Sequence, residues 1–213
     1  EVPVAGSSGG DAGRPLVSAR AVDGRVPGRR GLATRRRLLE CTRTMLGSTS
    51  YRDLKVVDIA REAGTSPATF YQYFTDVDAA IAELAGEMAT EGATRLSELL
   101  ANTTWAGEEA GDSVRGLVIG FLQFWEANRP LMSVIDLLAA EGEGQVRATR
   151  ADLLATFSTG LADRVRSDGN RSGATSPWAM ASVAVTMLVN VAIQREMFEA
   201  SKIPADDLID SVA

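Results

Sequence analysis

Apolar residues recur along this chain at steps of three and four, with no sustained alternation of two, so the pattern predicts helices and no sheet. From Thr34 onward Leu38, Thr42, Met45 and Leu46 mark a first stripe, which leaves Arg35, Arg36, Arg37 and Arg43 mainly to solvent. Val56, Ile59, Ala60 and Ala63 mark a short helix that Gly64 ends. Another starts almost at once, with Ser66 as N-cap, Pro67 at the first helical position, and Phe70 and Phe74 pointing inward one turn apart.

Thr75 and Asp78 read as a capping box, after which Ile81, Leu84, Ala85, Met88, Leu96 and Leu99 trace a helix long enough to connect two lobes. Beyond a loop at residues 102–111, Val114, Leu117, Val118, Phe121, Phe124 and Trp125 form a stripe that ends near Pro130. A shorter helix is expected over 131–140, a break at 141–144, a long stripe from Val146 to about Ser167, and a loop at 168–175. Ser176 and Pro177 then open a last helix, Trp178 to Ala200, with no charge between Ala179 and Ile193. That stretch is too short, and too interrupted by Ser182, Thr186 and Asn190, to span a membrane, so burial on two sides is expected.

Composition narrows the chemistry. The chain has no histidine, which removes His-based nucleophile activation and His-ligated zinc, and no cluster of metal ligands or phosphate-cradling glycine loop takes their place. No enzyme activity, cofactor or metal is therefore expected, and Glu141 and Glu143 read as solvated turn residues. Cys41 is the sole cysteine, lies in an apolar helical pattern, and fits a reducing compartment. The N-terminus lacks the basic start and uninterrupted apolar core of a signal peptide, so a cytoplasmic location is expected.

Net charge is −6, yet residues 1–75 carry 12 Arg or Lys against 7 Asp or Glu, whereas the remainder carries 10 against 21. A basic front and an acidic rear suggest that one end faces a polyanion. Two short helices joined across Gly64, Thr65 and Ser66, behind a longer helix, are the layout of a helix-turn-helix. With Phe70 inward, Ala68, Thr69 and Gln72 fall on the outer face and Tyr71 and Tyr73 on its flanks. Such a face suits a major groove, where Thr69 or Gln72 bonds base edges and the Ala68 and Thr69 methyls touch thymine.

The run from Val57 to Phe74 (VDIAREAGTSPATFYQYF) resembles the signature of the TetR family of bacterial helix-turn-helix regulators, and the resemblance is dense over residues 34–81. It implies an all-α fold: a three-helix helix-turn-helix domain at 32–77 followed by a ligand-binding and dimerisation domain at 78–213; residues 1–31, rich in Gly, Pro, Ser and Arg with few large apolar groups, are expected to form a flexible basic arm. It further implies a phosphate contact for Tyr71 and base-edge positions for Pro67, Ala68, Thr69 and Tyr73, with Thr65 and Ser66 completing the reading segment. Lys55 stands where the family more often has Thr or Ser, and Val77 where it often has a phosphate-binding lysine; Arg35 and Arg36, with Arg29, Arg30 and Arg37, are expected to compensate.

By the same resemblance, the last two long helices form the homodimer interface, and a small-molecule effector lies among the others. Phe121, Phe124, Trp125, Met132, Ile135, Met187, Asn190 and Gln194 are the pocket candidates, apolar or Met-rich with amides to orient one polar group. Asn190 amid Val189, Val191 and Ala192 requires a partner if buried, within the chain or across the dimer. A mostly apolar effector is expected, releasing a repressor from double-stranded operator DNA. The competing reading is a helical protein-interaction module without sequence-specific DNA binding.

Overall fold

Leu38, Ile59, Phe70 and Ile81 are each completely buried, and they come from four different helices. They bring together α1 (Arg29–Leu46), α2 (Val56–Glu62), α3 (Pro67–Tyr73) and the start of α4 (Val77–Asn102), with one turn of 3-10 helix at Tyr51–Asp53 between α1 and α2. Phe70 stacks one turn from Phe74, ring centroids 5.4 Å apart, and fills the centre of this small bundle. The computed structural model describes residues 22, 24, 26–142, 144–167 and 176–212, and among these all regular structure is helical.

Past α4 come α5 (Ala110–Ala127), α6 (Arg129–Glu141), α7 (Gly144–Ser167), α8 (Pro177–Ile193), α9 (Arg195–Ala200) and α10 (Ala205–Val212). At about 1.5 Å per residue, α4 runs near 39 Å and serves both lobes. One continuous apolar core extends from Leu38 in α1 to Ala192 in α8, and α7 packs on α4, α6 and α8. None of the described helices is long and apolar enough to cross a membrane.

Several boundaries differ from the expectation. Helix α1 begins at Arg29, not Thr34, because the Leu32 amide already donates to the Gly28 carbonyl at 2.9 Å and arginines propagate a helix well. Asp76 caps α4 in place of Thr75: its carboxylate accepts from the Ala79 amide at 2.7 Å, and a full charge is favoured at a helix N-terminus. Thr75 instead donates to Asp76, and Asp78 accepts from the Tyr51 hydroxyl. Gln194, with ψ near 8°, divides the expected last helix into α8 and α9. Most of the expected arm, Glu143 of the expected break and the loop at 168–175 lie outside the described residues.

Within the described chain, helix α8 is buried on one side. Ala181, Val185, Val189 and Ala192 face the core, while Val183, Met187 and Ile193 are half or more exposed. The charge-free pattern arises because the second side is also apolar, although nothing within the described chain covers it. Helix α10 was not expected at all; its stripe of Ala205, Leu208 and Ile209 is too short to stand out from a polar tail.

Where α4 crosses the C-terminal bundle, side chains pack directly onto helix backbone at glycines. A Cβ at Gly92 would lie 2.9 Å from Cζ of Phe124 and 3.2 Å from Leu153. At Gly160 the obstructing atom is the flexible end of Leu100, also at 2.9 Å. Phe124 is a rigid ring held in the core, so Gly92→Ala is expected to lower stability by about 1–3 kcal/mol, whereas Gly160→Ala costs less. Chemical denaturation of both variants checks the order; equal losses would show that Phe124 can move aside.

Candidate nucleic-acid interface and ligand region

The turn between α2 and α3 is set by two residues. Gly64 adopts φ +62°, a left-handed conformation that glycine takes without penalty, and the Thr65 amide closes back on the Ala60 carbonyl at 2.9 Å. Ser66 then caps α3: its hydroxyl oxygen accepts from the Thr69 amide at 3.2 Å and lies 2.9 Å from the Thr69 hydroxyl. Thr69 is thereby half-committed to the cap, with its methyl and remaining hydrogen-bonding capacity left for a partner.

Buried Phe70 and Phe74 fix the rotation of α3, so Ala68, Tyr71 and Gln72 are exposed, and Pro67, Thr65 and Thr69 partly so. Tyr71 is 53% exposed, and its ring meets Phe70 edge-on at 5.9 Å, which steadies the outward hydroxyl. Tyr73 lies differently from the expectation: it is half-buried, with its hydroxyl oxygen only 3.1 Å from where a Cβ at Gly31 would stand, so it braces α3 against α1. The Val22 amide also reaches this end of α3, donating to the Gln72 carbonyl at 2.9 Å. Lys55 is exposed at the start of α2.

Arg35 corrects the expectation of a solvent-facing arginine. It is 7% exposed, pairs through both terminal nitrogens with both carboxylate oxygens of Glu83 in α4, and holds its guanidinium 5.2 Å from the Phe74 ring centroid. A phosphate would have to displace a buried bidentate partner. Its neighbours line a groove between α1 and α4, where Arg43 faces Glu87 at 3.8 Å and Arg36 pairs with Glu40 in its own helix at 3.1 Å. Arg36 is 82% exposed and its pair weak, so it stays available to DNA.

The eight ligand candidates do not converge. Phe121, Phe124, Trp125, Met132 and Ile135 are all at least 94% buried, and Phe121 meets Phe157 edge-to-face at 5.3 Å, which makes them packed core. Met187, Asn190 and Gln194 sit on the exposed side of α8, where the Gln194 amide nitrogen lies 3.4 Å from the Asn190 carbonyl oxygen. An apolar cavity does occur elsewhere, about 130 Å³ in volume, between α5, α8 and α10.

A helix-turn-helix joined by one long helix to a helical bundle is matched by two family models. Residues 38–86 match "Bacterial regulatory proteins, tetR family", and residues 96–213 match "Tetracyclin repressor-like, C-terminal domain". The chain belongs to the TetR family. Its fold is similar to that of a protein from Mesorhizobium loti assigned to TetR-family transcriptional regulators, with 19% identity, TM-score 0.68, and coverage of 87% of this chain and 94% of that one. It is similar also to the fatty acid degradation regulator FadR from Bacillus halodurans, with 15% identity, TM-score 0.62, and coverage of 87% and 93%. A third is SmeT, repressor of the Stenotrophomonas maltophilia multidrug efflux pump SmeDEF, with 16% identity, TM-score 0.57, and coverage of 85% and 89%.

Within this TetR-family frame, one feature of the DNA-binding end escaped the sequence pattern. Glu83 looked like one more polar residue on α4, and only the fold shows it opposite Arg35. Its carboxyl is held above the ordinary range: burial is the largest influence and raises it, the neighbouring Glu87 raises it further, and the Arg35 guanidinium opposes both. A raised folded-state pKa stabilises the fold at low pH and gives that stability up as pH climbs through it. Arg35→Met removes both of arginine's lowering influences and is expected to cost about 3 kcal/mol at neutral pH, because it strands a buried carboxylate. The deficit should shrink as pH falls, because a protonated Glu83 leaves no buried charge unpaired. Guanidinium unfolding at neutral and at mildly acidic pH checks this; a deficit independent of pH would mean that Glu83 is solvated.

Proposed function

We propose that this TetR-family chain is a homodimeric repressor that binds double-stranded operator DNA through α3 and leaves it when a mostly apolar small molecule occupies the C-terminal lobe. The observation that carries the reading is the outer face of α3, where Ala68, Thr69, Tyr71 and Gln72 stand outward on a helix whose rotation two buried phenylalanines fix. A small, hydrogen-bonding face of this kind enters a major groove, with Thr69 and Gln72 toward base edges and Tyr71 toward a phosphate. Lys55, Arg29, Arg30 and Arg36, all exposed, add sequence-independent attraction. Arg35 is left out of the DNA contacts.

The uncovered apolar side of α8 supports the dimer. Val183, Met187 and Ile193 would be buried against a second copy, and Asn190 with Gln194 would supply polar contacts at that seam. The action is cytoplasmic, where DNA lies. Repression is the reading most in keeping with SmeT, a repressor of this fold.

Titration of the full chain against its own upstream DNA, at two salt concentrations, tests the reading. Specific binding is expected to weaken steeply with salt, and Tyr71→Phe and Thr69→Ala to lose about tenfold each. Affinity equal to that for random DNA across genome-selected fragments, or indifferent to both substitutions, would refute it.

A further inference from the structure

We propose that the cavity beneath α10 is a binding site for a small, neutral, largely apolar molecule of about one ring, with α10 as its lid. Leu122 of α5, Val191 and Ala192 of α8, and Ala205, Leu208 and Ile209 of α10 form its wall. At about 130 Å³ the space, open to solvent on one side, is close in volume to an apolar protein cavity that admits benzene. Water gains few partners on such a wall, so an apolar guest is favoured.

The rim selects against ions. Arg195 pairs with Glu199 at 2.8 Å and lies 3.9 Å from Glu126, which Arg129 also approaches at 3.3 Å. Each charge at the mouth already has its opposite, so a bare anion or cation would have to break a pair to enter. Gln123, exposed at the same rim, can bond one polar group of a neutral guest.

The lid is fastened lightly. A single arginine on α5, Arg115, holds two carboxylates one turn apart on α10, Asp206 at 2.6 Å and Asp210 at 2.7 Å. Both carboxylates are well exposed, so these pairs contribute little against water and salt. The link to α9 contains Lys202 at φ +58° and Pro204, which set a sharp local turn on which α10 can pivot. Helix α10 also rests on α5 and α8 through Leu208 and Ile209, so release of Arg115 loosens the lid while the main core stays in place.

As an effector site, the cavity rests on the reading above that the C-terminal lobe takes an apolar ligand. Its wall includes α8, whose other side carries the exposed stripe with Met187. A guest therefore presses on the helix assigned to the dimer seam, and relocates the site from Phe121, Phe124 and Trp125, which leave no room.

Fluorobenzene titrated into the full-length protein and followed by fluorine NMR tests the site. Saturable binding is expected to the unmodified chain. Ala205→Phe and Ala192→Leu, which fill the cavity from its exposed and buried sides, are expected to weaken it about tenfold or more. Arg115→Gln is expected to speed exchange in both directions with little change in Kd. Absence of saturable binding, or an affinity that neither filling substitution moves, would overturn the proposal. A parallel DNA titration separates site from effector role. DNA release by fluorobenzene that Ala205→Phe abolishes supports both, and binding without any effect on DNA keeps the site but refutes the effector role. An apolar compound that releases DNA equally from the Ala205→Phe variant overturns the site and leaves the effector reading standing.

Discussion

The buried pair between Arg35 and Glu83 fixes how the first turns of the long helix seat against α1. Two side chains on α1 and α4, both nearly removed from water, meet in a two-pronged contact, while the Phe74 ring at the end of α3 lies against the same guanidinium. Apolar packing alone would let α4 rotate or slide against α1 at small cost, since leucine and isoleucine surfaces are forgiving. A buried charge pair is satisfied in one arrangement and expensive in every other. Arg35 thus joins the helix that supports the reader, the end of the reader itself, and the helix that leads to the ligand lobe.

How far this was legible depends on what each residue needs from its surroundings. The first four helices, the turn at Gly64, the cap at Ser66 and the inward direction of Phe70 and Phe74 are local consequences of period and backbone chemistry, and they could be read from spacing. The outward positions of Ala68, Tyr71 and Gln72 follow from the same rotation. Arg35 was legible in the same way, since it lies three, four and seven residues before Leu38, Leu39 and Thr42 on the buried stripe of α1; its partner Glu83, 48 residues away, was not.

The ligand region was less legible for a related reason. Aromatic and methionine side chains suit a core and a pocket equally, so their presence on a helical stripe does not distinguish packed from empty space. Phe121, Phe124 and Trp125 fill their volume because Phe157 arrives from α7 to meet them. The actual cavity lies where α10 crosses the groove between α5 and α8, and α10 was the element with the weakest pattern. Met187 and Asn190 show the converse: the charge-free pattern marks α8 as apolar on both sides, and only the fold shows which side meets the core of the same chain.

The contact of Gly92 with Phe124 makes α4 a beam with an off-centre fulcrum. At about 1.5 Å per residue, Val77 lies some 22 Å from Gly92 on one side and Asn102 some 15 Å on the other. A tilt about that point moves the end that bears on Arg35 and Phe74 roughly one and a half times as far as the end between α5 and α7. The absence of a side chain at one residue thus gives the helix a mechanical advantage, with the longer arm on the side that reads DNA.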